Sequence, residues 1–244
     1  MALSDALGFS GLFGASASNA AELIDVDEDR KVRLGMFFYT LGDLILAIFF
    51  IGSYIFLRGY NTNDRWVPPP MAHVIGSGPL TATAWLMVAA VAGAGLFAVG
   101  QWALYWDRYG LFTGAMAAAL ALYVVDLVAQ VYVLGHQPYD VTDGSFASAF
   151  TLLSGYHVFH MLVCVFLGIG IVNRAARGCY RRPAERGMPN AHVAAAAGRE
   201  GPNMTLPRKT TGIAAIGYYW YYVALYAVAV WLLLLIQPPL LLNR

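Results

Sequence analysis

The sequence predicts an all-α, polytopic membrane protein of five transmembrane helices, with a cytoplasmic N-terminus and a periplasmic C-terminus. Of its 244 residues, 59% are hydrophobic and only 12% are charged, against about 25% charged in an ordinary soluble domain. Five apolar runs, at about 34–57, 80–104, 112–134, 147–172 and 213–236, contain no Lys or Arg. Each reaches the roughly 20 residues that a helix needs to cross a hydrocarbon core of about 30 Å. Turn formers separate them: NTNDRWVPPP (61–70) and GSGP (76–79), then DRYG (107–110), then HQPYDVTDG (136–144). Pro238 and Pro239 follow the fifth run, and proline stops a helix because it lacks the amide proton and clashes with the preceding turn. The runs are too long, and too free of period-two alternation, for a closed barrel.

The orientation follows from Lys and Arg. With the N-terminus inside, twelve of them fall on the inner side: Arg30, Lys31, Arg33, Arg108, Arg174, Arg177, Arg181, Arg182, Arg186, Arg199, Arg208 and Lys209. Arg58, Arg65 and Arg244 fall outside. The expected domains are an acidic cytoplasmic segment 1–32, a transmembrane domain 33–237 and a tail 238–244. The transmembrane domain includes a flexible, basic cytoplasmic loop 173–211, whose AHVAAAAGREGPN tract reads as a linker. The first 30 residues lack a basic stretch followed by an apolar core, so no cleavable signal is expected.

Composition also excludes partners. A net charge of +1 with scattered basic residues recruits no nucleic acid. Cys164 and Cys179 have neither the count of a disulfide framework nor the spacing of a zinc site. Small residues crowd the second and third runs, AAVAGAGLFAVG (89–100) and GAMAAALAL (114–122). Lipid offers helices no hydrophobic reason to associate, so close approach through Gly and Ala supplies the contact. These two helices are expected to pack tightly, the alternative being that small residues are simply common in membrane helices.

The informative residues are the polar ones inside the runs: Asp43, Asp126, Gln130, His157 and His160. An ionisable side chain at the bilayer centre costs a few kcal/mol, so it should face protein or water and find a partner. At 1.5 Å per residue, Asp43 lies roughly 14 Å from the inner end of its helix and His157 about 15 Å from the outer end of its own. Both are near the midplane and can meet. Asp43 is therefore expected between helices, bonded to a histidine or to a hydroxyl such as Thr40 or Ser154, in a proton-linked or a purely structural role. Asp126 lies about 12 Å from its outer end, with Gln130 four residues on along the same face. Both are open to a subunit interface.

His157 and His160, in SGYHVFHMLV (154–163), are three apart and share a helical face. A metal needs further ligands, yet His73, His136 and His192 all sit in loops. No metal, cofactor or catalytic residue is expected in this chain; the pair reads as a hydrogen-bonding element that fixes helix packing. Arg174, Arg177, Arg181 and Arg182, where the fourth helix meets the inner surface, suit anionic lipid headgroups or simply obey the charge rule of topology. Trp66, Trp102, Tyr105 and Trp106 near the span ends are expected at the membrane interface. The segment AELIDVDEDRKVR (21–33) carries five carboxylates, Glu22, Asp25, Asp27, Glu28 and Asp29. They would repel an anionic inner leaflet, so a partner subunit is the expected contact.

Several of these stretches resemble subunit III of the haem-copper oxidases, the cytochrome c and quinol oxidases. FTLLSGYHVFHMLVCVFLG is similar to the family's small residue, Gly, aromatic, His, two residues, His and aliphatic run. LGMFFYTLGDLILAIFFIGSYIFLR resembles its first shared helix, with the acidic residue at Asp43. RWVPPP resembles its tryptophan and proline cluster, GQWALYWDRYGLFTG its short cytoplasmic turn, and GYYWYYVALYAVAVWLLLL its last helix. The likeness covers roughly residues 33–236. It implies a non-catalytic subunit without redox cofactors, beside a catalytic subunit that carries haem and copper. The non-catalytic subunit would bind phospholipid, support proton uptake and stabilise turnover, with its buried acid at Asp43 and its histidine pair at His157 and His160; five helices with the N-terminus inside resemble the family's shorter bacterial form, which implies a bacterial cytoplasmic (inner) membrane.

Two departures stand out. The last helix of the family reads aromatic, Trp, His, Phe, any residue, Asp, whereas this chain has Tyr219, Trp220, Tyr221, Tyr222, Val223 and Ala224. The third helix often carries Glu where Gln130 aligns. These losses leave open an accessory subunit of nitric oxide reductase or of another membrane oxidoreductase. From a different class, an autonomous proton or ion channel or transporter would string Asp43, Asp126 and the histidines into a path. It lacks the repeated halves and paired Gly or Pro interruptions usual in transporters.

Overall fold

The computed structural model describes residues 17–60, 66, 78–137, 139–180 and 206–235; for 17–30, 78–83, 206–211 and 234–235 it describes the backbone alone. Among them lie five α-helices: α1 (Ala17–Gly59), α2 (Gly78–Tyr105), α3 (Tyr109–Gly135), α4 (Ser145–Ala176) and α5 (Leu206–Leu235). Each holds a stretch long and apolar enough to cross a membrane: Lys31–Gly59, Ala84–Tyr105, Tyr109–Gly135, Ser145–Ala176 and Gly212–Leu233. This is the make-up of a multi-pass membrane protein.

The helices run past the predicted spans, because apolarity marks only the part inside hydrocarbon while a helix ends where its backbone is stopped. The acidic stretch expected as a segment apart is helical from Ala17 and continuous with the first span. Its Ala, Leu, Glu, Lys and Arg are good helix formers, and neither Gly nor Pro interrupts 17–34. At the same end of the bundle, α4 continues through Asn173–Ala176 and α5 begins at Leu206. The expected loop 173–211 is thus helical at both ends. Its central part, with Arg181, Arg182, Arg186, His192 and Arg199, lies outside the described residues. So do His73, the prolines of RWVPPP, Pro238 and Pro239.

Two helix ends show how the stops work. After α4, the Cys179 amide donates to the Arg174 carbonyl and the Gly178 amide to that of Ala175, both at 2.9 Å, with Gly178 at φ +67°. This is the paired Schellman closure, which needs a left-handed residue and usually takes glycine. After α2 the same closure recurs, Arg108 to Ala103 at 2.8 Å and Asp107 to Leu104 at 3.1 Å, with Asp107 at φ +57°. Asp is among the few L-residues that enter this region readily, and the Tyr109 hydroxyl donates to its Oδ1 at 2.7 Å.

Helices α2, α3, α4 and α5 form a closed ring in which each packs on the next and α5 returns to α2. Helix α1 lies outside the ring, against α5 and α4. The α2–α3 contact is the most extensive, as the small residues predict. Ala90 and Ala119 are fully buried, and the Tyr123 ring lies against Gly93 so closely that a Cβ there would collide with it. Tyr123 also stacks on Trp220 at 4.2 Å, and Trp220 on Phe97 at 4.7 Å, which ties α3, α5 and α2 through three rings.

One expected interface anchor is placed otherwise. Trp66 is only 2% exposed and sits edge-on to Tyr54 and Phe146, with ring centroids 5.3 and 6.0 Å away. It plugs the end of the bundle between α1 and α4. A tryptophan before a proline cluster reads identically from sequence whether its ring turns to lipid or to protein. Trp102, Tyr105 and Trp106 are exposed at the end of α2.

The glycine packing is testable. Gly93→Ala should lower stability by about 1–3 kcal/mol through overpacking against Tyr123. Gly95→Ala, where an added Cβ has no neighbour within 4 Å, should leave it unchanged or slightly raised. Unfolding of the two variants in mixed micelles measures the difference.

Candidate functional site

The polar residues fall into two clusters on either side of α4. Three residues along a helix turn it by about 300°, so neighbours at that spacing diverge by about 60°. That angle sends His160 toward α1 and leaves His157 in the ring. Both side chains are buried.

The first cluster joins α1 to α4 and α5. His160 Nε2 lies 3.2 Å from Asp43 Oδ2, while its Nδ1 lies 2.7 Å from the Tyr156 carbonyl one turn back. The carbonyl can only accept, so Nδ1 carries a hydrogen and donates. A neutral imidazole of that tautomer presents a bare lone pair at Nε2. Its contact with the carboxyl therefore requires one further proton, either on the ring, as an ion pair, or on Asp43, as an acid donating to the ring. In either form the pair shares one proton and is neutral overall. The Asp43 side chain is 18% exposed and that of His160 only 4%.

Two tyrosines complete this clasp. The hydroxyls of Tyr156 and Tyr222 both reach the Asp43 backbone carbonyl, at 2.9 and 3.0 Å, and lie 2.8 Å from each other. Two hydroxyl hydrogens serve three short contacts, so one hydroxyl always donates to the carbonyl while the other chooses between the carbonyl and its neighbour. Thr40 and Ser154, the expected hydroxyl partners, lie elsewhere: Thr40 Oγ1 donates to its own helix at the Met36 carbonyl, at 2.9 Å, and Ser154 lines a cavity. Phe50 meets Tyr156 edge-on at 5.3 Å, and Tyr39 meets Tyr219 at 5.5 Å, packing α1 around the polar centre.

The second cluster lies inside the ring. Asp126 is 1% exposed. Asp126 is thus enclosed within this chain, and Gln130 is half-buried beside the cavity described next. Gln130 Nε2 approaches Asp126 Oδ1 at 3.4 Å. Gln130, Ser154, His157, Gln137 and Trp231 line a cavity of about 50 Å³ among α2, α3, α4 and α5. Among the described residues, His157 Nε2, Asp126 Oδ2 and Trp231 Nε1 have no hydrogen-bond partner. Tyr226 separates the clusters: its ring is 5.1 Å from Tyr156 and 5.7 Å from His157, and its hydroxyl donates to the Leu153 carbonyl at 3.1 Å.

Sequence reasoning missed the tyrosines. The signal was available in GYYWYYVALYA, where Tyr219, Tyr222 and Tyr226 recur at the spacing of one helical face and all three are buried. It also missed Gln101, an amide within the second apolar run. Its Nε2 donates to the Ile213 carbonyl at 3.1 Å and its Oε1 accepts from Tyr221, which clamps α2 to α5. Arg174 and Arg177 are exposed at the end of α4. No set of three or more His, Cys, Asp or Glu side chains is grouped to hold a metal among the described residues. Compared with known proteins, the chain matches no family model and no curated sequence.

Two outcomes follow for the clasp. Asp43→Leu leaves a buried imidazole nitrogen unpaired and should cost about 1–3 kcal/mol. Asp43→Asn keeps a donor toward Nε2 and should cost less than about 1 kcal/mol, so equal losses in the two variants would contradict the shared proton. Tyr156→Phe and Tyr222→Phe should each cost about 0.6 kcal/mol, the usual scale for interhelical bonds in membranes. The double variant should exceed the sum, since either hydroxyl alone still reaches the carbonyl. Both series are read from unfolding midpoints in the same micelles.

Proposed function

We propose that this chain is a non-catalytic, subunit III-like component of a respiratory haem-copper oxidase complex in a bacterial cytoplasmic membrane. It stabilises a catalytic subunit that holds the haem and copper. The observation that carries this reading is the clasp, in which the Asp43 carboxyl, the Asp43 carbonyl, His160, Tyr156 and Tyr222 all serve to join α1 to the ring. The most polar centre of the bundle is thereby spent on holding helices together.

The likeness of the Asp43 helix and the His157/His160 helix to that family supports the reading, since both stretches meet in the clasp. Helix α1 supports it as well. Phe37, Phe38, Ile45, Ile48, Phe49 and Phe56 are exposed along it, an apolar surface suited to a neighbouring subunit or to bound phospholipid. The twelve-to-three distribution of Lys and Arg supports an orientation with the N-terminus inside. Arg174 and Arg177 then face anionic headgroups at the inner surface.

Purification of the tagged chain from its native membrane in mild detergent tests the proposal. Co-elution with haem absorbance and a larger membrane polypeptide is the expected outcome, and the haem type and polypeptides recovered distinguish an oxidase from a nitric oxide reductase. A colourless, self-contained oligomer would refute it and favour a channel or transporter.

A further inference from the structure

The cavity within the ring plays no part in the clasp and has its own chemistry. Its volume of about 50 Å³ compares with the roughly 10–15 Å³ of such space that one water occupies, room for about three to five waters. Water also needs polar partners, which dry apolar cavities lack. Here His157, 4% exposed, lines the cavity with Nε2 unpartnered among the described residues, and Trp231 lines it with its indole N–H likewise unpartnered. Ser154 adds a hydroxyl and Gln130 an amide. Together with Gln137 these polar side chains border one small space whose other lining residues, among them Leu86, Met87 and Val158, are apolar, so water there would draw its hydrogen-bond partners from the polar group.

The cavity is also one-sided. Its lining comes from the C-terminal ends of α3 and α5 and the N-terminal parts of α2 and α4, including Val133, Leu134, Phe150 and Val230. All of these lie at the end of the bundle that carries the α3–α4 turn. A polar depression on that turn, lined by Tyr139, Asp140, Asp143 and Thr151, shares Leu134 and Gln137 with the cavity. Gln137 thus stands between the surface and His157. The titratable groups nearest His157 are His160 one turn on, Tyr226 against its ring, and Asp126 behind Gln130.

We propose that this cavity is a one-sided internal hydration site: a small water cluster, held by His157, Trp231, Ser154 and Gln130, exchanges with the aqueous phase through Gln137 at the α3–α4 turn. His157 is then in contact with water from one side of the membrane only, while His160, with both ring nitrogens engaged, is not.

Water-edited solid-state NMR of the full chain in lipid bilayers tests this, with ¹⁵N-labelled histidine rings assigned through backbone correlations. The His157 ring should receive magnetisation from water several-fold faster than the His160 ring. In Ser154→Leu, which fills the cavity, that transfer should fall to the His160 level. Transfer to His157 in the unmodified chain that is no faster than to His160, or that comes from lipid acyl chains, would overturn the proposal. Sidedness is read in Ser154→Cys, with Cys164→Ala and Cys179→Ser, in sealed vesicles of one orientation. Silver ion should modify the thiol from the α3–α4 turn side; modification only from the opposite side would refute the one-sided access.

Discussion

The arrangement of this bundle depends on how α1 is held. In water a helix with so many exposed apolar side chains would be driven inward, but lipid tails are as apolar as Leu and Phe and supply no such force. What remains is close packing and polar attachment. Asp43 provides the polar part twice over, through its carboxyl to His160 and through its backbone carbonyl to Tyr156 and Tyr222. Each bond is worth only about 0.6 kcal/mol on average in a membrane. Their convergence on one residue, with T-shaped and tilted ring pairs around it, is what fixes the position of α1 along α4 and α5.

The ring of α2 to α5 is built on a different principle. Small residues let α2 and α3 approach until the Tyr123 ring lies over Gly93 and the Met116 side chain over Gly100. The aromatic stack from Phe97 through Trp220 to Tyr123 then fills the middle. The Tyr123 hydroxyl lies 3.3 Å from the Ala90 carbonyl and 3.4 Å from that of Trp220, so even this large side chain is oriented by polar contacts at its tip. The interior is correspondingly rich in rings and poor in charge. That scarcity makes Asp126 and His157 conspicuous.

The two histidines show why equal spacing does not mean equal environment. His160 has both ring nitrogens engaged and belongs to the clasp; His157, three residues earlier, borders the cavity. Tyr226 stands between them with its hydroxyl already committed to Leu153. The α3–α4 turn borders the cavity at Leu134 and Gln137, and there burial pushes the Tyr139 hydroxyl up, above its ordinary range. It therefore stays a neutral donor across the ordinary pH range.

Much of the fold was legible in the sequence because membrane spans obey a one-dimensional rule: a run of about 20 apolar residues must be helical, since no other backbone satisfies its own hydrogen bonds in lipid. The five spans, the tight α2–α3 pairing and the meeting of Asp43 with a histidine near the middle of their helices all follow from run length, residue size and rise per residue. Tertiary structure alone decided which histidine Asp43 meets, that Asp126 is buried within the chain, that Trp66 plugs the bundle, and that Tyr221, Tyr222 and Tyr226 of α5 make hydrogen bonds to other helices. These depend on the rotation of each helix about its axis. That angle is set by packing against neighbours on other parts of the chain, and nothing in a helix's own apolar pattern records it when lipid and protein interior are equally apolar.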